Sequence, residues 1–339
     1  MAGWNQKLGD ILSLRPSDDE LWSRFNFVFS DASMKRNTYK FGLVKAILDN
    51  LLNSKQDLIG MYRISFPDLF GKFAENYWNL VVKYGLRQMR KNSNQSDYSA
   101  LEQIFMKAVE DNPVLGKLQF SSIDENKKKE IIGEVSKQCR KNVIGALYGD
   151  LLGLVYGFDI QSGSKKEYIW ISPIAYDFMF HYKGELEKLN YYSWARFLEK
   201  INNDSVLLRV IDKLESATPQ RSNLDVFREI LREEFEENTC FFCGSKFERV
   251  AHVDHFIPWS FVKEDRLWNF VLACSTCNTK KNNKIVSDRF FNKLVERNRR
   301  ALGINNSFVK EQFDNYQPEF YRRIWMYAKM SGLKVYDFK

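Results

Sequence analysis

The chain has 339 residues, enough for one large domain or two ordinary ones. Apolar residues make up 44% and aromatic residues 15%, which excludes a disordered chain, and 17 glycines with 7 prolines exclude a collagen-like or linker-dominated one. The 51 basic and 43 acidic residues give a net charge of +8, which favours nucleic acid or an anionic membrane surface as a partner.

The sequence predicts no membrane span, because even its most apolar stretch, residues 143–160, contains Asp150 and Asp159. The N-terminus does not have the pattern of a signal peptide, since Lys7 and Asp10 interrupt any apolar region. We therefore expect a cytoplasmic protein. In that compartment cysteines are reduced and serve as metal ligands, nucleophiles or core residues.

Residues 1–222 are predicted to form a mostly helical region, which makes the expected fold class mainly α. Thr38 is a candidate N-cap for a helix whose apolar residues recur with the helical period. Ser65, with Pro67 after it, predicts a second helix start, and Asp124 predicts the start of a long basic helix. The role of this region is open between DNA recognition, partner binding and regulation.

Further along the chain, Tyr168–Ile171 is a candidate strand, and helical patterning resumes from Pro173 to about Ile201. The polar run from Gln220 to Asn223 predicts a boundary between a first domain, 1–222, and a second, 223–339. The second domain is predicted to open with a helix over residues 223–237. It is predicted to close with two basic, aromatic helices around a turn at residues 303–307.

Cysteine and histidine are scarce but concentrated in one segment. Of five cysteines and three histidines, six lie within residues 240–277. Two CxxC pairs, Cys240 with Cys243 and Cys274 with Cys277, can each hold one side of a tetrahedral ion, and four thiolates favour a closed, structural Zn²⁺ site. The 30 residues between the pairs exceed the usual spacing of roughly 15–20, so we expect a structured insert there.

The insert between the cysteine pairs is predicted to form a strand pair followed by a helix. One strand includes Asp254 and His255, the second is Phe270–Ala273, and the helix begins near Asn278. Adjacent residues of a regular strand point to opposite faces. Asp254 and His255 therefore serve one site only if the backbone bends there, which Pro258 favours.

These side chains match what phosphodiester hydrolysis requires: a base for water, a cation for the developing charge and groups that hold phosphate. Imidazole titrates near neutral pH, so His255 is a candidate base, and Asn269 is a candidate to orient its ring. Asp254 and Asn278 offer the hard oxygen ligands that Mg²⁺ or Mn²⁺ prefers. The turn at residues 263–265 is predicted to be merely solvated.

The segment resembles the HNH (ββα-metal) endonuclease family with zinc knuckles. The runs VDHFIPWS and CNTKK are closest in pattern to the HNH domain of the RNA-guided CRISPR nuclease. The resemblance covers about residues 237–286. It implies that Asp254 and Asn278 bind the catalytic metal, that His255 is the general base and that Asn269 positions it. The family often has histidine at the third motif position, where this chain has Asn278, which keeps an oxygen ligand.

A strongly basic run follows Asn278. Residues 279–300 contain eight basic and two acidic side chains, so they carry +6 of the net +8. Phosphate contacts of this kind give affinity and salt dependence rather than sequence preference. A solvated helix face is the alternative. The residues predicted to hold a DNA backbone are Lys280, Lys281, Lys284, Arg289, Lys293 and Arg297.

Residues and resemblance together predict a metal-dependent DNA endonuclease or nickase, with Mg²⁺ or Mn²⁺ for catalysis and Zn²⁺ for structure. The resemblance implies a role in bacterial restriction or anti-phage defence, for example as an accessory nuclease of a multi-gene system such as Zorya, with other subunits as partners. Two alternatives stay open: a zinc-stapled DNA-binding module without catalysis, and a homing or structure-specific nuclease in recombination. Target, strand number and oligomeric state also stay open.

Overall fold

The structure is a computed structural model, and it describes residues 5–90, 98–216, 224–247, 251–314 and 316–338. The chain divides into two compact units, Met1–Pro219 and Gln220–Lys339. The predicted boundary at Gln220 to Asn223 lies outside the described residues. Both units are built mainly from helices with small sheets, so the predicted mainly α class is confirmed.

The first unit consists of helices around a small antiparallel sheet. Its strands are β1 (Leu8–Gly9), β2 (Lys55–Gln56), β3 (Tyr62–Ser65), β4 (Tyr156–Asp159) and β5 (Tyr168–Ile171), and they lie in the order β1-β4-β5-β3-β2. Its α-helices are α1 (Asp18–Phe29), α2 (Tyr39–Asp49), α3 (Phe66–Trp78), α4 (Ala100–Asp111), α5 (Glu125–Asp150), α6 (Pro173–His181), α7 (Lys183–Glu199), α8 (Asp204–Leu207) and α9 (Val210–Ser216).

Several of these helices begin where the sequence predicts. The Ser65 hydroxyl accepts the Asp68 N–H at the start of α3, and the Asp124 carboxylate caps α5. The strand predicted at Tyr168–Ile171 is β5. The helical stretch predicted from Pro173 onward is two helices, since α6 ends at His181 and α7 begins at Lys183.

Thr38 precedes α2 as predicted, but its side chain does not cap the helix. The hydroxyl is buried and bonds to Gln88 Oε1 at 2.8 Å and to the Tyr77 hydroxyl at 3.0 Å. Tyr77 reaches this position because Gly42 leaves room, since a Cβ there would lie 2.2 Å from the Tyr77 ring. A buried contact between helices has therefore replaced the local cap.

The core of the first unit lies where α2, α3 and α5 pack together, with α7 against α2. Trp78, Tyr77 and Trp194 are fully buried there. Burying each such side chain stabilises the fold by about 1.5–3 kcal/mol. Among the described residues, no helix is both long and apolar enough to cross a membrane.

The second unit wraps helices around a two-stranded hairpin. Its strands are β6 (His252–His255), β7 (Phe270–Ala273), β8 (Ile285–Val286) and β9 (Val335–Tyr336), with β6 antiparallel to β7 and β8 parallel to β9. Its helices are α10 (Asp225–Glu233), α11 (Trp259–Val262), α12 (Ser275–Lys281), α13 (Asp288–Ala301), α14 (Ser307–Phe313) and α15 (Pro318–Met330).

Three predictions for the second unit need correction. The helix expected near Asn278 begins three residues earlier, because Cys274 occupies the N-cap and its sulfur accepts the Cys277 N–H at 3.5 Å. The described residues of the C-terminal part form three helices and a strand rather than two helices, since α14 occupies part of the chain between α13 and α15. The helix predicted over residues 223–237 is the shorter α10.

Candidate active site and four-cysteine cluster

The hairpin and the helix that follows it form the frame of the site. In the hairpin, Asp254 pairs with Val271 and His255 with Phe270, and α12 packs against β6. Asp254 and His255 thus lie on a strand that contacts the helix carrying Asn278. The predicted order of strand, strand and helix is confirmed.

The His255 side chain is buried and held by an acid. Its Nε2 atom lies 2.7 Å from Asp265 Oδ1, and the Phe270 ring packs edge-on at 4.6 Å between centroids. An imidazole that donates through one nitrogen presents a lone pair on the other, so this contact makes Nδ1 the basic atom. Asp265 was predicted to belong to a merely solvated turn, and this prediction was wrong. Only a contact ten residues along the chain reveals its role.

Asp254 is buried beside a lysine from α12. The Lys281 Nζ atom lies 2.9 Å from Asp254 Oδ2 and also donates to the His255 carbonyl at 2.6 Å. The Lys281 side chain has no exposed surface. The prediction that Lys281 contacts DNA is therefore wrong. Its position in α12 places the side chain against β6, where it is buried beside the Asp254 carboxylate.

Asn269 organises backbone rather than the imidazole ring. Its Oδ1 accepts the Ile257 N–H at 2.9 Å, its Nδ2 donates to the Ile257 carbonyl at 3.0 Å, and the Tyr321 hydroxyl donates to Oδ1 at 2.8 Å. The Phe256 N–H also bonds to the Asn269 carbonyl at 2.7 Å. Asn269 thus closes the chain turn that begins just after His255, and it positions that residue through the backbone.

Asn278 is half-buried within α12, directly after Cys277. Its backbone N–H bonds to the Cys274 carbonyl, which fixes it in the first turns of the helix. His252 is exposed at the start of β6, opposite Ala273. Helix α12 therefore links Asn278 to the cysteine pair Cys274 and Cys277 and to strand β6.

The four predicted cysteines converge in space. The sulfurs of Cys240, Cys243, Cys274 and Cys277 all lie within 4.8 Å of one another, with Cys243 and Cys274 at 4.0 Å. A tetrahedral Zn²⁺ with Zn–S bonds of about 2.3 Å places its sulfurs about 3.8 Å apart. The cluster thus has the donor set and spacing for zinc. The turn that carries Cys240 and Cys243 is the first knuckle. Gly244 completes it with a φ of +73°, a left-handed conformation that favours glycine.

The thiols of this cluster differ in acidity. The hydrogen bond between Cys243 and Ser245 lowers the pKa of Cys243 to about 6, whereas burial raises the pKa of Cys240 and of Cys277. Cys243 is exposed while Cys240 and Cys277 are buried. Of these three thiols, the exposed one is therefore the most acidic.

Helix α13 braces the hairpin from behind. Arg297 pairs with Glu237 at 2.8 Å and donates to the Phe270 carbonyl at 2.7 Å, while Glu237 accepts the Leu272 N–H at 3.2 Å. Desolvation lowers the pKa of the buried Arg297. Its prediction as a DNA contact is wrong, because the guanidinium is committed to the backbone of β7.

The rest of the predicted basic surface is partly exposed. Lys280 and Arg289 are exposed, and Arg289 lies 3.1 Å from Asp337. Lys284 donates to the Lys280 carbonyl at 2.7 Å. Lys293 donates to the Phe241 carbonyl and lies over that ring at 4.4 Å, so its head group also holds the first knuckle. Lys280, Lys284, Arg289 and Lys293, which is also exposed, stay the predicted phosphate contacts.

Comparison with known proteins agrees with the site. Residues 240–284 match the family model described as HNH endonuclease. No curated protein and no solved structure matches the chain. The match spans both cysteine pairs, the hairpin and α12, and it leaves the first unit uncovered. The chain therefore carries an HNH endonuclease domain over residues 240–284, with a four-cysteine cluster that could hold zinc.

Proposed function

We propose that the chain is a metal-dependent endonuclease that hydrolyses DNA phosphodiester bonds. The observation that carries this proposal is the buried contact between His255 and Asp265, 2.7 Å long, inside the segment that matches HNH endonucleases. An imidazole fixed by a carboxylate is the arrangement expected of a general base. A structural zinc module has no need of it.

In this mechanism His255 takes the proton of the attacking water at Nδ1, while Asp265 holds the ring and stabilises the charge it gains. The water oxygen bonds to phosphorus as the bond to the leaving sugar oxygen breaks, and that oxygen takes up a proton from solvent water. Asp254 and Asn278 would hold Mg²⁺ or Mn²⁺, which stabilises the negative charge of the transition state. Lys281 engages Asp254 through Oδ2 and orients the carboxylate for this task.

The four cysteines would hold a structural Zn²⁺ that ties the two ends of the HNH segment together. Cys240 and Cys243 precede the hairpin, and Cys274 and Cys277 flank the start of α12. Four thiolates leave no open coordination position, so this ion would not take part in the reaction. The DNA backbone would run past Lys280, Lys284, Arg289 and Lys293, which follow Asn278 along the chain.

A plasmid assay tests the proposal. Purified protein is incubated with supercoiled plasmid and Mg²⁺ or Mn²⁺, with and without EDTA, beside the His255→Ala variant. His181→Ala, a histidine of the first unit, is the matched control. We expect wild type and control to cut, and His255→Ala to lose at least about a hundredfold in rate. Nicked or linear product reports the number of strands cut.

The main alternative is a zinc-stapled DNA-binding module without catalysis. It predicts that the protein shifts DNA in gels but leaves plasmid intact with every metal, and this result would overturn the proposal. A homing or structure-specific nuclease would instead cut, and sequencing of the cut ends would show one long site or one DNA structure.

We further propose a cytoplasmic role in bacterial restriction or anti-phage defence, alone or as an accessory nuclease of a Zorya-like system. The support is the resemblance of the HNH segment and the reduced thiols that a zinc cluster requires. The test is phage plating on cells that express the chain with its genomic neighbours. Protection that persists with His255→Ala would exclude a role for cutting, and absence of protection by wild type would exclude the setting.

A further inference from the structure

The first unit contains a large cavity that the nuclease chemistry does not use. It has a volume of about 1600 Å³ and lies between the end of α1, the segment that leads into α2, and the C-terminal parts of α5 and α7. Pockets for single small molecules usually measure about 300–1,000 Å³. The cavity is therefore larger than one small ligand needs.

The lining of this cavity is strongly basic. It includes two acidic side chains, Asp31 and Asp150, and each already has a lysine: Lys200 lies 3.1 Å from Asp31, and Lys40 lies 2.6 Å from Asp150. The lining thus has an excess of five positive charges. Its seven basic residues are Arg24, Lys35, Arg36, Lys40, Arg90, Arg196 and Lys200.

Lys35 is a half-buried cation of this lining. Its Nζ atom donates to the backbone carbonyls of Ser30, at 2.8 Å, and Ser33, at 3.1 Å. Burial, with the nearby charge of Lys40, lowers the pKa of Lys35 to about 8. The neighbouring carboxylates of Asp150 and Asp31 act in the opposite direction but do not offset the burial. The five excess positive charges of the lining favour an anionic ligand.

Two arginines of the lining are held opposite each other by backbone pairing. Asn37 and Met89 form an antiparallel bridge, and the Arg90 N–H bonds to the Arg36 carbonyl at 3.2 Å. Arg36 and Arg90 are both exposed. Two arginines on one firm backbone pair present two guanidinium groups from the same place, and guanidinium is a strong, bidentate ligand for phosphate.

Aromatic side chains line the same cavity. Tyr192 is 60% exposed and Tyr98 is 39% exposed, and Phe27 and Phe29 are half-buried. Exposed rings beside basic groups form the platforms on which unpaired bases stack. A rigid duplex keeps its bases stacked inside, so it offers these rings nothing, whereas a flexible single strand can enter a cavity.

We propose that this cavity binds a segment of single-stranded DNA, with Arg36 and Arg90 on its phosphates and Tyr192 stacked on a base. The choice of DNA among phosphate-bearing polymers rests on the proposed nuclease function. The binding itself does not depend on cutting. A first unit with this property would recruit DNA that contains unpaired bases to the nuclease. It would not select a particular base sequence.

Binding of a short fluorescent poly(dT) oligonucleotide tests the proposal. The full chain is used in the His255→Ala background without added metal, so that no cutting occurs. We expect Arg36→Ala/Arg90→Ala to weaken binding about tenfold. The slope of log affinity against log salt should become shallower by roughly 0.7 for each phosphate that an arginine no longer neutralises. Tyr192→Ala should weaken binding about fivefold or more.

The matched control is Lys129→Ala/Lys137→Ala, which removes two exposed charges of α5 that do not line the cavity. It should change the dissociation constant less than about twofold. Equal loss of affinity in both double variants would overturn the proposal, as would equal competition by duplex DNA or displacement by a mononucleotide. Plasmid cutting is measured separately on the chain with His255 intact. If that chain binds poly(dT) but does not cut plasmid, the proposed nuclease function is contradicted and the proposed binding in the cavity is not.

Discussion

Nε2 of His255 and Oδ1 of Asp265 lie 2.7 Å apart, although a turn and the short helix α11 separate the two residues in the chain. Both side chains are largely buried, so water competes little for this contact. The contact fixes which imidazole nitrogen faces the acid. It makes Asp265 a positioning residue in the proposed mechanism and leads to the first prediction.

Asp265→Asn should lower kcat for plasmid cutting by roughly tenfold to a thousandfold with little change in KM, because the amide no longer stabilises the charged ring. Steady-state kinetics across DNA concentrations give both constants. Glu264→Gln is the matched control, since it makes the same chemical change one residue away. If Asp265 were merely structural, Asp265→Asn would instead raise KM and lower the melting temperature. Asp265→Glu would then restore no activity.

Asn269→Ala should destabilise the hairpin by about 2–4 kcal/mol, because it leaves the Ile257 N–H and carbonyl without their partner. Tyr321→Phe removes the hydroxyl that donates to Asn269 and should cost about 1 kcal/mol. Hydrogen exchange of the β6 and β7 amides measures both effects locally. Equal exchange in wild type and Asn269→Ala would show that the turn holds without this side chain.

Lys281→Met and Lys280→Met should behave in opposite ways, although the residues are neighbours. Lys281→Met leaves the Asp254 carboxylate buried without its ammonium, which should destabilise the second unit by about 3–5 kcal/mol. Lys280→Met should leave stability within about 0.5 kcal/mol and weaken duplex binding. Thermal unfolding and gel shifts are measured on both variants. Loss of stability in Lys280→Met, with weaker DNA binding but unchanged stability in Lys281→Met, would contradict this assignment.

These two lysines also show the limit of prediction from sequence. The spacing of the cysteines and the runs around His255 locate the site, because metal ligands and strand pairing follow local patterns. The basic run after Asn278 assigns Lys281 and Arg297 to DNA, because charge along the chain does not show which side of a helix faces a carboxylate. The sequence did not indicate the contact of Asp265 with His255 for a similar reason, since this contact depends on how the chain turns after Pro258.

The first unit could be predicted only in part. Helix starts at Ser65 and Asp124 follow from local capping, which the sequence displays directly. Thr38 has the same local pattern, but tertiary contacts with Tyr77 and Gln88 use its hydroxyl. The basic cavity joins residues from distant helices, so its charge is invisible in any one stretch of sequence.

Cys277→Ser should abolish stable zinc binding, because three thiolates and a hydroxyl no longer close the site. We expect about one zinc per chain in wild type by atomic absorption, and faster hydrogen exchange in the knuckles of the variant. Cys139→Ala removes a buried thiol of the first unit and is the control. Full zinc content in Cys277→Ser would exclude the four-cysteine site.

Lys35 should make the stability of the first unit depend on pH. Its pKa is about 8 in the folded protein and 10.5 as its ordinary value, so the unfolded chain holds this proton more tightly. The destabilisation is therefore full below about pH 8 and is relieved as the pH rises towards 10.5. The charges around Lys35 are those of Lys40, Lys200, Asp31 and Asp150. Lys35→Met should raise the melting temperature at pH 7 and flatten this rise, and an unchanged difference between variant and wild type from pH 7 to 10 would contradict the assignment.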